Sequence, residues 1–140
     1  MVNFFEFNDL SEIKNISKQI LKLSKYKNII FYGEMGVGKT TLINSLCLLL
    51  HTIDKVTSPT FSIVNEYLCE EGGKVFHFDF YRINDRNQAF DIGFEEYLES
   101  DNFCLIEWPE IILDFLPKNY VEVKMSIENG NRKITIKNIE

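Results

Sequence analysis

The feature that most constrains this chain is Gly33-Glu34-Met35-Gly36-Val37-Gly38-Lys39-Thr40, which matches G-x-x-x-x-G-K-[ST], the phosphate-binding P-loop. Asn28-Ile29-Ile30-Phe31-Tyr32 precedes it, short, apolar and β-prone, and reads as a buried strand. After it, Thr41 to Leu50 is too densely apolar for a loop and predicts a buried helix. Glycines let the loop curl with φ > 0 and turn its N–H groups inward at the positive end of the following helix. Lys39 would then meet the β- and γ-phosphates, and the Thr40 hydroxyl would ligate Mg²⁺. Chance would supply only about 0.01 such matches in a chain of this size at ordinary glycine frequency.

The rest of the chain predicts one domain over 1–140, large enough for a core but too small for a second unit. With 45% apolar and 14% aromatic residues it is globular. A net charge of −6 argues against broad nucleic-acid affinity, which wants a basic face. Cys47, Cys69 and Cys104 are scattered, and the expectation is three buried thiols in a reducing cytosol, not a metal site or disulfide. His51 and His77 show no ligand-like spacing. No apolar run approaches the ~18 residues of a membrane span, and the N-terminus carries no signal-peptide pattern. The expectation is a soluble, cytoplasmic protein.

Phe4 to Phe7 predicts an edge strand, and Asp9-Leu10-Ser11-Glu12 a capping box. Ile13, Ile16, Ile20 and Leu23 then line one helix face, with Lys14, Lys18 and Lys22 in solvent. Ser58-Pro59 disfavours helix, so the segment around Thr60 is a loop or extended. Ser62–Cys69 and Lys74–Asp79 read as a hairpin joined at Gly72-Gly73, which makes the sheet mixed. Short helices follow at Gln88–Asp91 and Phe94–Leu98, then a buried strand Phe103–Glu107 ended by Trp108-Pro109. Val121–Ile127 and Lys133–Ile139 alternate around Asn129-Gly130-Asn131, a final hairpin.

A P-loop ATPase also needs a carboxylate at a strand end to hold Mg²⁺. Asp79 and Glu107 both qualify; Glu107 closes the cleaner apolar strand, and both can belong to the site. Thr60 lies beyond the first helix, where switch proteins keep a threonine that responds to γ-phosphate, although a loop threonine is also an ordinary turn residue. Trp108 is placed either near nucleotide or in the core.

Together the P-loop through Thr41, Ser58-Pro59-Thr60-Phe61, His77-Phe78-Asp79-Phe80-Tyr81-Arg82 and Ile106-Glu107-Trp108-Pro109-Glu110 resemble the TsaE family, small bacterial ATPases of the tRNA threonylcarbamoyladenosine (t6A) pathway. The resemblance runs from about Asp9 to the C-terminus, with Glu34-Met35 where the family commonly has Asp-Leu. It implies a single-domain α/β P-loop NTPase fold, with a mixed central sheet, helices on both faces and antiparallel hairpins. It implies ATP binding by Gly33, Met35, Gly36, Val37, Gly38, Lys39, Thr40 and Thr41, with Mg²⁺ on Thr40 and Glu107. Lys39, Thr60, Asp79 and Glu107 are the catalytic candidates, Trp108 joins the functional surface, and Asp9 and Arg132 are implied near the adenine. The resemblance further implies a weak ATPase stimulated by a TsaD–TsaB complex, meeting tRNA only within that assembly.

Two rival readings differ in class. A small-molecule kinase would need an arginine-bearing lid, for which only Arg82 and Arg86 are placed. A non-hydrolysing nucleotide sensor would need no partner-stimulated turnover. The N-K-x-D signature of guanine recognition is absent.

Overall fold

A computed structural model describes residues 1–53, 56 and 63–140. Among these, β1 (Val2–Phe7), β2 (Asn28–Tyr32), β3 (Val64–Leu68), β4 (Lys74–Asp79), β5 (Phe103–Glu107), β6 (Tyr120–Glu128) and β7 (Asn131–Ile139) form one sheet. Its order is β1-β7-β6-β2-β5-β4-β3. The inner strands β6, β2, β5 and β4 are parallel, and the two hairpins add β7 and β3 antiparallel. β1 closes one edge against β7. The mixed sheet and both predicted hairpins are therefore as the sequence implied.

The central strand β2 is apolar at consecutive positions because both of its faces are covered. Ile29 and Phe31 point to the side of α1 (Ile13–Leu23) and α2 (Lys39–Leu49), where Ile16, Ile20, Leu42 and Leu46 complete a core. Ile30 points to the other side, toward α3 (Asn87–Asp91) and α4 (Phe94–Leu98), with Phe78, Phe94 and Ile112. Helices thus cover both faces. On the first, α1 and α2 are joined by a buried hydrogen bond from Ser17 Oγ to Ser45 Oγ (2.8 Å).

Three local features depart from the sequence reading. The Asp9 capping box forms, but it opens a 3-10 turn, Leu10–Glu12, before α1 begins. A further 3-10 segment, Pro109–Phe115, follows β5 and buries Ile112 against the second core. Of the three thiols, Cys47 and Cys104 are buried, whereas Cys69, the residue after the edge strand β3, is only half-buried. The described helices include none long and apolar enough to cross a membrane.

Parallel strands end at the same edge of a sheet. The carboxyl ends of β2, β5 and β4 therefore place Tyr32, Glu107 and Asp79 side by side, the position where open α/β sheets bind ligands.

Candidate functional site

The glycine loop leaves β2 at Gly33 and enters α2 at Lys39. Gly36 (φ +83°) and Gly38 (φ +106°) hold the left-handed backbone that bends it, and Gly38 is the N-cap of α2. Val37 is buried and pins the loop to the core, whereas the Met35 side chain is 66% exposed. Contacts from these two positions to an anion would thus come from backbone N–H groups. Gly33 sits tight against the sheet: a Cβ there would lie 2.8 Å from Val37 Cγ1 and 3.1 Å from the Met125 carbonyl oxygen.

Lys39 is the first residue of α2 and is buried at 5% exposure. Its ammonium donates to the Gly33 carbonyl and lies 3.7 Å from the centre of the Trp108 ring. Burial pulls this lysine below its ordinary pKa, and the negative charges of Glu107, Asp79 and Glu110 oppose the shift. Thr40 and Thr41 follow on the exposed side of the same turn.

Glu107 ends β5, is 3% exposed, and pairs in register with Asp79 at the end of β4. Its Oε2 lies 2.7 Å from His77 Nε2. Asp79 Oδ1 accepts from the Tyr81 N–H (2.9 Å). Burial raises the Asp79 carboxyl above its ordinary pKa, the Tyr81 N–H works against that rise, and the Glu107 charge adds to it. Trp108 turns out of β5 in a left-handed conformation (φ 52°, ψ 59°), which lays its ring between Lys39 and Tyr81, the latter at 4.8 Å between centroids.

Arg132 reaches the loop from β7, its Nε donating to the Val37 carbonyl (3.2 Å). Phe7 pairs with Arg132, so β1 delivers Asp9 toward the same end of the sheet. The Asp9 carboxylate accepts from the Ser11 N–H (3.0 Å), serving as the helix cap. Thr60 and the Ser58-Pro59-Thr60-Phe61 motif lie outside the described residues. Arg86, one of two arginines a kinase lid would draw on, is paired with Asp114 in the structure.

The structure therefore brings Lys39, Asp79, Glu107 and Trp108 together around the glycine loop, with Arg132 behind it. A glycine-rich loop at a helix N-terminus with a buried lysine suits phosphate. Two adjacent carboxylates supply the hard oxygen donors that Mg²⁺ prefers, and Mg²⁺ usually needs only one or two when phosphates complete its shell. No cluster of three or more His, Cys, Asp or Glu that could hold a metal by themselves occurs among the described residues. His77, which shows no ligand-like spacing in the sequence, proves to be bonded to Glu107. The signal was the shared parity of positions 77 and 79, but the neighbouring strand could not be read from it.

Comparison with known proteins identifies the family and the fold. The profile of the family described as threonylcarbamoyl adenosine biosynthesis protein TsaE matches residues 7–134. The chain is 34% identical over 133 residues to the tRNA threonylcarbamoyladenosine biosynthesis protein TsaE of Haemophilus influenzae, covering 94% of this chain and 84% of that one. It is 32% identical over 114 residues to the protein of the same name from Bacillus subtilis, covering 80% and 70% of the two chains. The crystal structure of YdiB from Bacillus subtilis superposes with a TM-score of 0.72 over 99% of this chain and 86% of the other, at 23% identity.

Proposed function

The chain belongs to the TsaE family, and we propose that it binds ATP with Mg²⁺ at this edge and hydrolyses it in support of t6A modification of tRNA. The observation that carries the reading is the convergence of Lys39, Glu107 and Asp79 on one glycine loop. Lys39 supplies the cation for the β- and γ-phosphates, and the backbone from Gly33 to Thr41 supplies N–H donors. Thr40 and Glu107 are the residues that would hold Mg²⁺, which when bound neutralises phosphate charge as the terminal phosphoryl group transfers. Asp79 orients water beside Glu107; phosphoryl transfer depends mainly on positioning and charge, so it need not act as a strong base. Thr60 is proposed to respond to the γ-phosphate. Asp9 and Arg132 are assigned to the adenine side, where Arg132 already contacts the loop.

The resemblance supports a weak ATPase that turns over faster when docked on a TsaD–TsaB complex in the cytoplasm. The net charge of −6 favours reaching tRNA through that assembly over binding it alone. The test is phosphate release from Mg²⁺·ATP with and without the TsaD–TsaB complex, alongside Lys39→Ala and Glu107→Ala. Release that rises with the complex and collapses in both variants supports the reading. ATP binding with no release in either condition overturns it in favour of a nucleotide sensor.

A further inference from the structure

Beside the phosphate-binding edge, a buried polar chain runs to Glu107 from two side chains, Tyr67 and His77, that hydrolysis as set out above does not use. Tyr67, His77 and Glu107 stand on the adjacent strands β3, β4 and β5. Tyr67 pairs with Val75, His77 with Leu105, and Asp79 with Glu107. Side chains two residues apart along a strand share a face. The three therefore project from the α1–α2 side of the sheet and meet on a diagonal. Each is buried, at 3%, 0% and 3% exposure.

Two short contacts join them. The Tyr67 hydroxyl is 3.1 Å from His77 Nδ1, and His77 Nε2 is 2.7 Å from Glu107 Oε2. With the imidazole proton on Nε2, Tyr67 donates to Nδ1 and Nε2–H donates to the carboxylate. Polar groups this deeply buried are costly unless bonded. This histidine is satisfied through the one carboxylate that the proposed function uses as its metal ligand.

We propose that His77, held in its Nε2–H tautomer by Tyr67, is the positioning residue for Glu107. It fixes the carboxylate through Oε2 and leaves Oε1 to a divalent cation. Carboxylate ligands of metals are commonly oriented in this way, and loss of such a partner typically costs about 10- to 100-fold in metal affinity. The inference rests on the Mg²⁺·ATP reading of the site.

The test is ATP binding by calorimetry across a Mg²⁺ titration and in EDTA, on the wild-type chain, His77→Asn, His77→Gln and Tyr67→Phe. The Gln amide reaches the place of Nε2–H, whereas the Asn amide ends near Nδ1. His77→Asn is expected to raise the Mg²⁺ concentration for half-maximal binding by about 10-fold or more. Binding in EDTA stays within about twofold, and His77→Gln recovers most of the loss, since only the donor to Glu107 has changed. Tyr67→Phe shifts the Mg²⁺ dependence in the same direction by less. The chain has two histidines, so imidazole ¹⁵N spectra of the wild type read the tautomer directly. A protonated Nε2 with a bare Nδ1 supports the inference, and any other pattern overturns it, whether or not the Asn variant folds. Mg²⁺-dependent binding that is unchanged in His77→Asn overturns the inference and leaves the proposed function standing. Wild-type ATP binding that ignores Mg²⁺ overturns the proposed function, and the inference with it.

Discussion

The Lys39 ammonium and the Trp108 ring are partners, 3.7 Å apart from nitrogen to ring centre. A lysine that binds phosphate must exchange this contact, and that with the Gly33 carbonyl, for the nucleotide. Because Trp108 is the single tryptophan of the chain, its fluorescence reports the exchange. Titration with Mg²⁺·ATP should give a saturable emission change. Lys39→Ala should alter the starting emission and lose the ATP-dependent change; a full response in that variant would separate Trp108 from phosphate binding.

The two carboxylates should separate by function. Glu107→Gln keeps the shape and a hydrogen-bond acceptor for His77 but removes the charge proposed to meet Mg²⁺. It is expected to slow partner-stimulated phosphate release by about 100-fold or more, the scale for losing a group that stabilises developing charge. Asp79→Asn should retain Mg²⁺·ATP binding while lowering release, because Asp79 is assigned to water. Equal losses of binding in both variants would make Asp79 a second ligand instead. Calorimetry beside single-turnover assays distinguishes the two.

Glycines of the loop should tolerate alanine unequally. At Gly36 a Cβ meets nothing within 4 Å, so the burden is the left-handed backbone alone, about 1 kcal/mol. At Gly33 the added carbon presses on Val37 Cγ1 and on the Met125 carbonyl, a fixed strand atom. Overpacking of that kind costs about 1–3 kcal/mol. Urea denaturation should therefore rank Gly33→Ala below Gly36→Ala, with both below wild type.

How much of this was legible in the chain differs between strands and contacts. Asn28–Tyr32 and Phe103–Glu107 could be bounded from sequence because strands covered on both faces are apolar without interruption. The hairpins were legible from their glycine turns. Pro109–Phe115 was not, since Pro109 signals a break and a short 3-10 segment lacks the α-helical period. The order β6-β2-β5-β4 was also hidden, because strands distant in sequence choose neighbours through the tertiary core. Every contact that depends on that order was hidden with it. Glu107 could be named as a strand-end carboxylate, but its bond to His77 requires knowing that β4 and β5 adjoin. Trp108 could be placed after β5, but its ring over Lys39 depends on a left-handed turn in a bulky residue, which local propensity argues against.

The thiols carry a prediction about pH that stands apart from nucleotide chemistry. Burial pushes Cys47 and Cys104 from an ordinary 9.0 up to about 12, and also raises Cys69, which lies half-buried just past the end of β3. Thiolate is the reactive form, so at about pH 8 a disulfide reagent should modify Cys69 first, with Cys47 and Cys104 following only on unfolding. The sign for stability follows from proton binding. Between 9.0 and about 12 the unfolded thiols release protons that the folded ones retain, so stability falls as pH rises. The contribution from thiol burial is complete below 9.0 and lost through about 12. Urea midpoints at about pH 8 and about pH 10.5 should differ more for wild type than for Cys47→Ala/Cys104→Ala. The double variant is less stable at the lower pH because it leaves cavities, and its pH slope should be shallower. An unchanged slope would mean that these two thiols do not govern alkaline stability.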